Sequence, residues 1–342
     1  MKNPSKKMNV IFLLMVILYL AASVGLSMLS VRSIEIPQIL TLLAGEIVAI
    51  LPGLIFLVLF RCDLSMWIPI RKVHVGSFFQ SVLIGFLIMP TLYFFNVLSQ
   101  LVERNVAVET MMSFDRISPL TLFFCVGIVG PLCEEVVFRG ILLNGFKRTG
   151  RVLAAVLWTS FLFGLFHLNL NQMGYAIVLG LVGAFLVEGT GSLLPSFAVH
   201  ATINSFNVIQ LLVTDYVTKA LGSSLTEIVD SASSELMTPA ILVKMAGAIA
   251  VPAIATMAVA VVVFISIARR EGRLEYVMSI LPKKKHMHKT VSEEGIDEPS
   301  GDEKEFIPNK KEYVITAVGI IAVLLCIGII FGLEALVAVI SG

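Results

Sequence analysis

A chain of 342 residues that is 57% hydrophobic and only 14% charged, with a mean hydropathy of +0.93, reads as a multi-spanning membrane protein, since a soluble domain carries roughly 25% charged residues. The net charge of +1 offers no basic surface able to neutralise several phosphates, which excludes a nucleic-acid partner. The four cysteines, Cys62, Cys125, Cys133 and Cys326, fall in or beside apolar runs. They read as small buried residues, not as a disulfide frame or a zinc cluster.

Apolar runs fall at about 10–29, 40–60, 76–98, 119–141, 152–167, 173–188, 193–213, 240–267 and 313–340. The first follows Lys2, Lys6 and Lys7 like a signal peptide, but no small-residue cleavage pattern follows it, so an uncleaved span is expected. A crossing helix needs about 20 residues. The fifth and sixth runs are shorter than that, and are expected to be tilted or shielded by neighbours. Backbone groups in lipid must be satisfied within the segment, so the expected fold is all-α, a polytopic membrane helical bundle of about nine transmembrane helices.

Basic residues fix the expected orientation. Lys2 to Lys7, Arg61 to Lys72, Lys147 to Arg151 and Arg269 to Lys285 fall on one side if every run spans, while the opposite loops carry Asp215, Glu227, Asp230 and Glu235. The N-terminus is therefore expected in the cytoplasm and the C-terminus outside, with the plasma membrane as the location. The expected division is an N-terminal set of three helices at 1–118, a core at 119–213, an extracytoplasmic loop at 214–239, a helix at 240–268, a cytoplasmic linker at 269–312 and a final helix at 313–342. Within the linker, Leu274, Val277, Met278 and Leu281 share one helical face, which either lies on the anionic leaflet or belongs to a solvated loop. No internal repeat is evident, which weakens a transporter built on duplicated halves.

The fourth run contains Gly130-Pro-Leu-Cys-Glu134-Glu135-Val-Val-Phe-Arg139-Gly140. Ionisable groups at bilayer depth are costly, and their default reading is a functional site. Pro131 removes one helical hydrogen bond, which either bends the helix as an ordinary kink or admits substrate backbone. Pro52, Pro90 and Pro252 supply similar kinks in other spans. Three of the five histidines, His74, His286 and His288, lie in basic loops, whereas His167 and His200 lie in apolar runs. A lone histidine there is often satisfied by a backbone carbonyl, but two of them with a Glu pair in neighbouring helices point to a site.

Helix rise supports a meeting. Glu134 stands roughly 21 Å and His167 roughly 24 Å above a turn at Thr149 and Gly150, whereas His200 and Asn204 stand roughly 10 to 17 Å above the inner end of their helix. All four can line one cavity inside the bundle, with a shift needed for His200 to reach the level of Glu134. The chemistry that suits them is activation of water for hydrolysis. A poorly solvated carboxylate is a better base than one in water. A histidine beside it can hold the water and protonate a leaving amine, and a second histidine with an amide can stabilise an oxyanion. Glu135 and Arg139, at i and i+4, are expected to form a buried ion pair that supports the site. Glu46, in the second run, is either a hydrogen-bonded bundle residue or part of a proton relay.

Glu134-Glu135-Val-Val-Phe-Arg139-Gly140, then Phe163-x-x-x-His167, then His200-x-x-x-Asn204 resemble, in order and spacing, the three motifs of the CAAX protease and bacteriocin-processing family, also called the Abi family. The resemblance covers about residues 118–212. It implies an intramembrane glutamic endopeptidase in which Glu134 is the base, His167 positions water and His200 with Asn204 forms the oxyanion site, Glu135, Arg139 and Phe163 being supporting residues. It also implies a membrane-associated peptide or lipidated, CAAX-type protein as substrate, entering from the cytoplasmic leaflet. Zinc held by Glu134, His167 and His200 is the metal-dependent variant. The helical His-Glu-x-x-His spacing is absent and Asn204 is a poor zinc ligand, so the metal-free reading is favoured. The competing reading is a non-catalytic immunity or binding protein that uses the same cavity for recognition.

Overall fold

The computed structural model describes residues 3–103, 105, 114, 116–222, 238–282 and 313–341, with side chains described as far as 332. Among them are eleven helices and no strand. In chain order these are α1 (Pro4–Val31), α2 (Gln38–Leu59), α3 (Leu64–Trp67), α4 (Val75–Ser99), α5 (Pro119–Lys147), α6 (Val152–Phe166), α7 (Leu170–Thr190), α8 (Leu194–Ala220), α9 (Pro239–Arg270), α10 (Leu274–Ile280) and α11 (Ala317–Ser341). The protein is a polytopic helical membrane bundle. Seven helices, α1, α2, α4, α5, α7, α8 and α9, are long and apolar enough to cross a membrane, while α6 and the described part of α11 are shorter apolar helices.

The expected spans largely coincide with these helices, with two differences. The sixth run is not short, because Leu170–Thr190 extends the apolar stretch through the polar cap of Asn169 to 21 residues. The seventh continues past the expected boundary at 213 to Ala220. Residues 223–237 of the expected loop and 283–312 of the expected linker lie outside the described residues.

Proline marks the helix starts, with Pro4, Pro119, Pro195 and Pro239 in first turns, where a missing N–H costs no helical bond. The expected turn between α5 and α6 is present, and Gly150 adopts φ 76°, a conformation that favours glycine. The two helices return past one another as a hairpin. Close approach of α6 and α7 depends on Gly180, since a Cβ there would stand 3.0 Å from the Ser160 Cα.

The core is aromatic where α1, α5 and α6 meet. Phe138 packs edge-on to Phe163 at 5.0 Å between ring centres, and Phe166 packs against Phe12, Tyr19 and Phe138. One buried amide ties three elements together. Asn9 donates to the Val314 carbonyl and the Thr316 hydroxyl ahead of α11, and accepts from the Trp158 indole of α6.

The amphipathic segment at 274–281 forms α10, but it is clamped to the bundle. Val277 is buried, Tyr276 donates to the fully buried Glu188 carboxylate at 2.8 Å, and Arg273 donates to the Glu188 carbonyl at 2.8 Å. Lys147 completes this cluster 2.7 Å from Glu188. Met278 and Leu281 of the same face remain exposed.

Candidate active site

Helix α5 is regular only in part. Residues Cys125–Val129 and Val136–Leu142 are π-helical and flank a single α-helical segment, Gly130–Glu135, that carries the two carboxylates. Pro131 has no N–H to bond back to the Gly127 carbonyl, so the register shifts at the first of these stretches. Helix α8 compensates: the Ser205 hydroxyl donates to the Gly127 carbonyl at 3.3 Å and the Asn204 amide donates to the Val126 carbonyl at 3.2 Å. The proline therefore does more than kink the span.

Glu135 is fully buried and is the most heavily bonded carboxylate of the site. It accepts from the Ser196 hydroxyl, lies 3.2 Å from the Arg139 guanidinium, and accepts from His200 Nδ1 at 3.0 Å. Arg139 is itself buried, with its guanidinium stacked 4.1 Å over the Phe163 ring. Gly183 of α7 makes room for this arrangement, because a Cβ there would overlap the Ser196 hydroxyl and press on Arg139. The spacing of Glu135 and Arg139 thus yields the buried pair that it suggested, and keeps Glu134 out of it.

The other edge of His200 faces Glu134, with Nε2 3.5 Å from Glu134 Oε2. A carboxylate can only accept, so Nδ1 of His200 carries the proton given to Glu135. A hydrogen bond between Nε2 and Glu134 then needs one further proton, held by either atom. The straight-helix count left His200 below Glu134. A π stretch packs more residues into each turn, so Val136–Leu142 climbs less than the count assumed and lowers Glu134 toward His200.

His167 closes α6. Its Nδ1 lies 2.9 Å from the Phe163 carbonyl, which fixes the proton on Nδ1 and leaves the Nε2 lone pair free. Phe163 stands edge-on to both histidines, at 5.1 Å from His167 and 5.8 Å from His200. Just after His167, Leu168 takes φ 52°, an uncommon conformation for a branched side chain. Asn169 then caps α7 by accepting from the Gln172 N–H, and Glu103 accepts from the N–H groups of Leu170 and Asn171. Glu103 went unnoticed in the sequence.

Glu134, His167, His200 and Asn204 all line one cavity of about 1470 Å³. Its walls come from the second halves of α1 and α4, the end of α6, the middle of α8 and the first parts of α2, α5 and α7. It therefore occupies the end of the bundle where α1 finishes and α2 begins, with Glu134 and His200 at its deep end. Asn96, Asn207, Gln172 and Gln210 give one wall amide groups, while Leu20, Val24, Leu42 and Ile330 make the opposite side apolar.

Among the described residues no group of three or more His, Cys, Asp or Glu is gathered as a set of metal ligands. Nδ1 of each histidine is engaged with Glu135 or with a backbone carbonyl.

Fold and site together define a polytopic helical membrane protein with a carboxylate–histidine centre inside the bundle. Residues 116–206 match the family described as type II CAAX prenyl endopeptidase Rce1-like. A relative named "Putative membrane peptidase YdiL", from Bacillus subtilis (strain 168), is 33% identical over 106 residues, which cover 30% of this chain and 43% of that protein. The chain thus spans less than half the length of the curated relative it matches. No solved structure matches the chain. These matches fall on the core that carries the three motifs, and they support a relation to the CAAX protease and bacteriocin-processing family.

Proposed function

We propose that the protein is an intramembrane endopeptidase that hydrolyses a peptide bond in a membrane-associated peptide or lipidated protein. The observation that carries this reading is the chain of contacts Glu135–His200–Glu134 at the deep end of a cavity large enough for a peptide segment. Glu135 holds His200 by Nδ1 and favours a proton on Nε2, as a buried carboxylate does for the histidine of a hydrolytic triad. That leaves Glu134 as the free carboxylate.

In the proposed reaction, Glu134 removes a proton from water while the water oxygen attacks the substrate carbonyl carbon. His167, with its Nε2 lone pair, accepts the second water hydrogen and holds the oxygen in line. Electrons of the C=O bond move onto oxygen, and the oxyanion is met by Nε2–H of His200 and by the second amide hydrogen of Asn204, the first being given to Val126. Glu134 then passes its proton to the leaving nitrogen as the C–N bond breaks, releasing a carboxyl and an amino terminus. No other reactant is needed.

If the N-terminus is cytoplasmic, as the basic loops suggest, the cavity faces the extracytoplasmic half of the membrane. This departs from the cytoplasmic entry that the family resemblance implies. The test of function is comparison by mass spectrometry of membrane and released peptides from cells carrying wild type or Glu134→Gln at equal protein levels. Peptides converted from precursor to product only by wild type support the enzyme and identify its substrate. A phenotype that survives the substitution, with no peptide difference, overturns the reading in favour of a binding or immunity role.

A further inference from the structure

The cavity holds a second carboxylate that the proposed reaction does not use. Glu46 of α2 lines it together with Glu134. Its Oε1 lies where it would stand 3.0 Å from a Cβ on Gly130, which is one turn before Glu134 on the same helix, and the two carboxylates interact electrostatically. Two like charges in one poorly solvated space repel unless a cation or a proton intervenes. Among the described residues no lysine or arginine is paired with Glu46, and Arg139, which acts on Glu134, does so from its place beside Glu135. Arg139 is stacked on Phe163 and paired with Glu135. Among the described residues lining the cavity, Arg32 is the sole lysine or arginine. It follows the end of α1 at the rim, whereas Glu46 lies about 12 Å farther in along α2 by helix rise. Glu103 is engaged with the first N–H groups of α7, and His200 is held by Glu135.

We infer that Glu46 is a specificity-determining residue, which selects peptides carrying a basic side chain or a free amino terminus close to the scissile bond. This rests on the peptidase reading of the same cavity. An ammonium or guanidinium group entering beside Gly130 would meet Glu46 directly and lessen its repulsion with Glu134. A carboxylate in the same place would add a third negative charge to the cavity. Gly130, lacking a side chain, leaves Glu46 room to approach the helix that carries Glu134.

The test uses the full chain in proteoliposomes and matched fluorogenic peptides bearing Lys, Gln or Glu at each position flanking the cleaved bond. Cleavage and binding are both measured, for wild type, Glu46→Gln and Glu46→Lys. At one position, wild type should prefer Lys over Gln by about 10- to 100-fold, the range of a charge-assisted contact. Glu46→Gln should level that preference while keeping turnover of the Gln peptide, and Glu46→Lys should turn it toward Glu. Equal loss on Lys and Gln peptides, in a variant with unchanged thermal stability, would place Glu46 in the chemistry and overturn the inference. Wild-type behaviour of Glu46→Gln would also overturn it. If wild type and Glu134→Gln alike cleave nothing, the peptidase reading fails. The binding series still decides on Glu46, since a Lys preference abolished by Glu46→Gln establishes recognition without catalysis.

Discussion

The two adjacent glutamates illustrate how one residue of displacement on a helix separates two roles. Glu135 has Arg139, Ser196 and His200 around it, and Glu134 has the cavity and one edge of His200. Glu134→Gln is therefore expected to lower hydrolysis by about 10²–10⁴-fold, the usual contribution of a positioned acid–base group, with little change in thermal stability. Glu135→Ala should lower stability as well as activity, since Glu135 also holds His200. The substitution strands Arg139 as a buried unpaired charge, for a loss of about 3–5 kcal/mol, readable as a lower unfolding midpoint in detergent. The pairing of Glu135 with Arg139 was legible from the i, i+4 spacing. Ser196 was not singled out, because a serine in a span commonly bonds back to its own helix. The stripe Ser196, His200, Asn204 at four-residue steps was the available signal.

At the scale of elements, hydropathy located the spans because lipid selects for apolar side chains, but it is blind to hydrogen-bond register. The π stretches of α5 were therefore hidden, and so was the level of His200. Asn204 also acquires a second task, since it holds the Val126 carbonyl that the altered register leaves free. Gly127 sits at this junction, where a Cβ would stand 2.7 Å from the Ser205 hydroxyl and 3.2 Å from its Cα. Gly127→Ala should push α8 away from α5 at a cost of about 1–3 kcal/mol, and should reduce activity as well. A Ser205→Gly background that restores both would identify the clash as the cause. At the end of the bundle away from the cavity, Glu271 is pushed upward by burial but held below the usual carboxylate range by hydrogen bonds from Ser77 and from the His74 backbone and ring. A carboxyl group depressed in the folded state contributes stability above its unfolded value, and that stability is lost as pH falls through the folded one. The junction of α4 with α9 should therefore loosen in acid. Glu271→Gln should flatten that part of the stability profile, measured by thermal unfolding across pH.

For the whole molecule, the bundle is unequally built along its axis. The first half of α1 is packed, with Met8, Phe12, Met15 and Val16 fully buried, whereas Val24, Met28 and Val31 of its second half are exposed beside the cavity. The cysteine-free protein with single cysteines at Ser27 or Thr214 should react with a membrane-impermeant maleimide from outside intact cells. A cysteine at Asn144, near the opposite end, should react only after the membrane is opened. The reverse pattern would invert the orientation inferred from the basic loops.

The π stretch at Val136–Leu142 means that the facing of the site is stored as a number of residues as well as in their chemistry. An ordinary helix through the same residues would turn everything beyond it out of the phase that the wider turns set, carrying Phe146 and Lys147 off their partners while altering no side chain of the site. A sequence that kept all three motifs but ran this stretch as an ordinary helix would have lost the angular phase that brings them together.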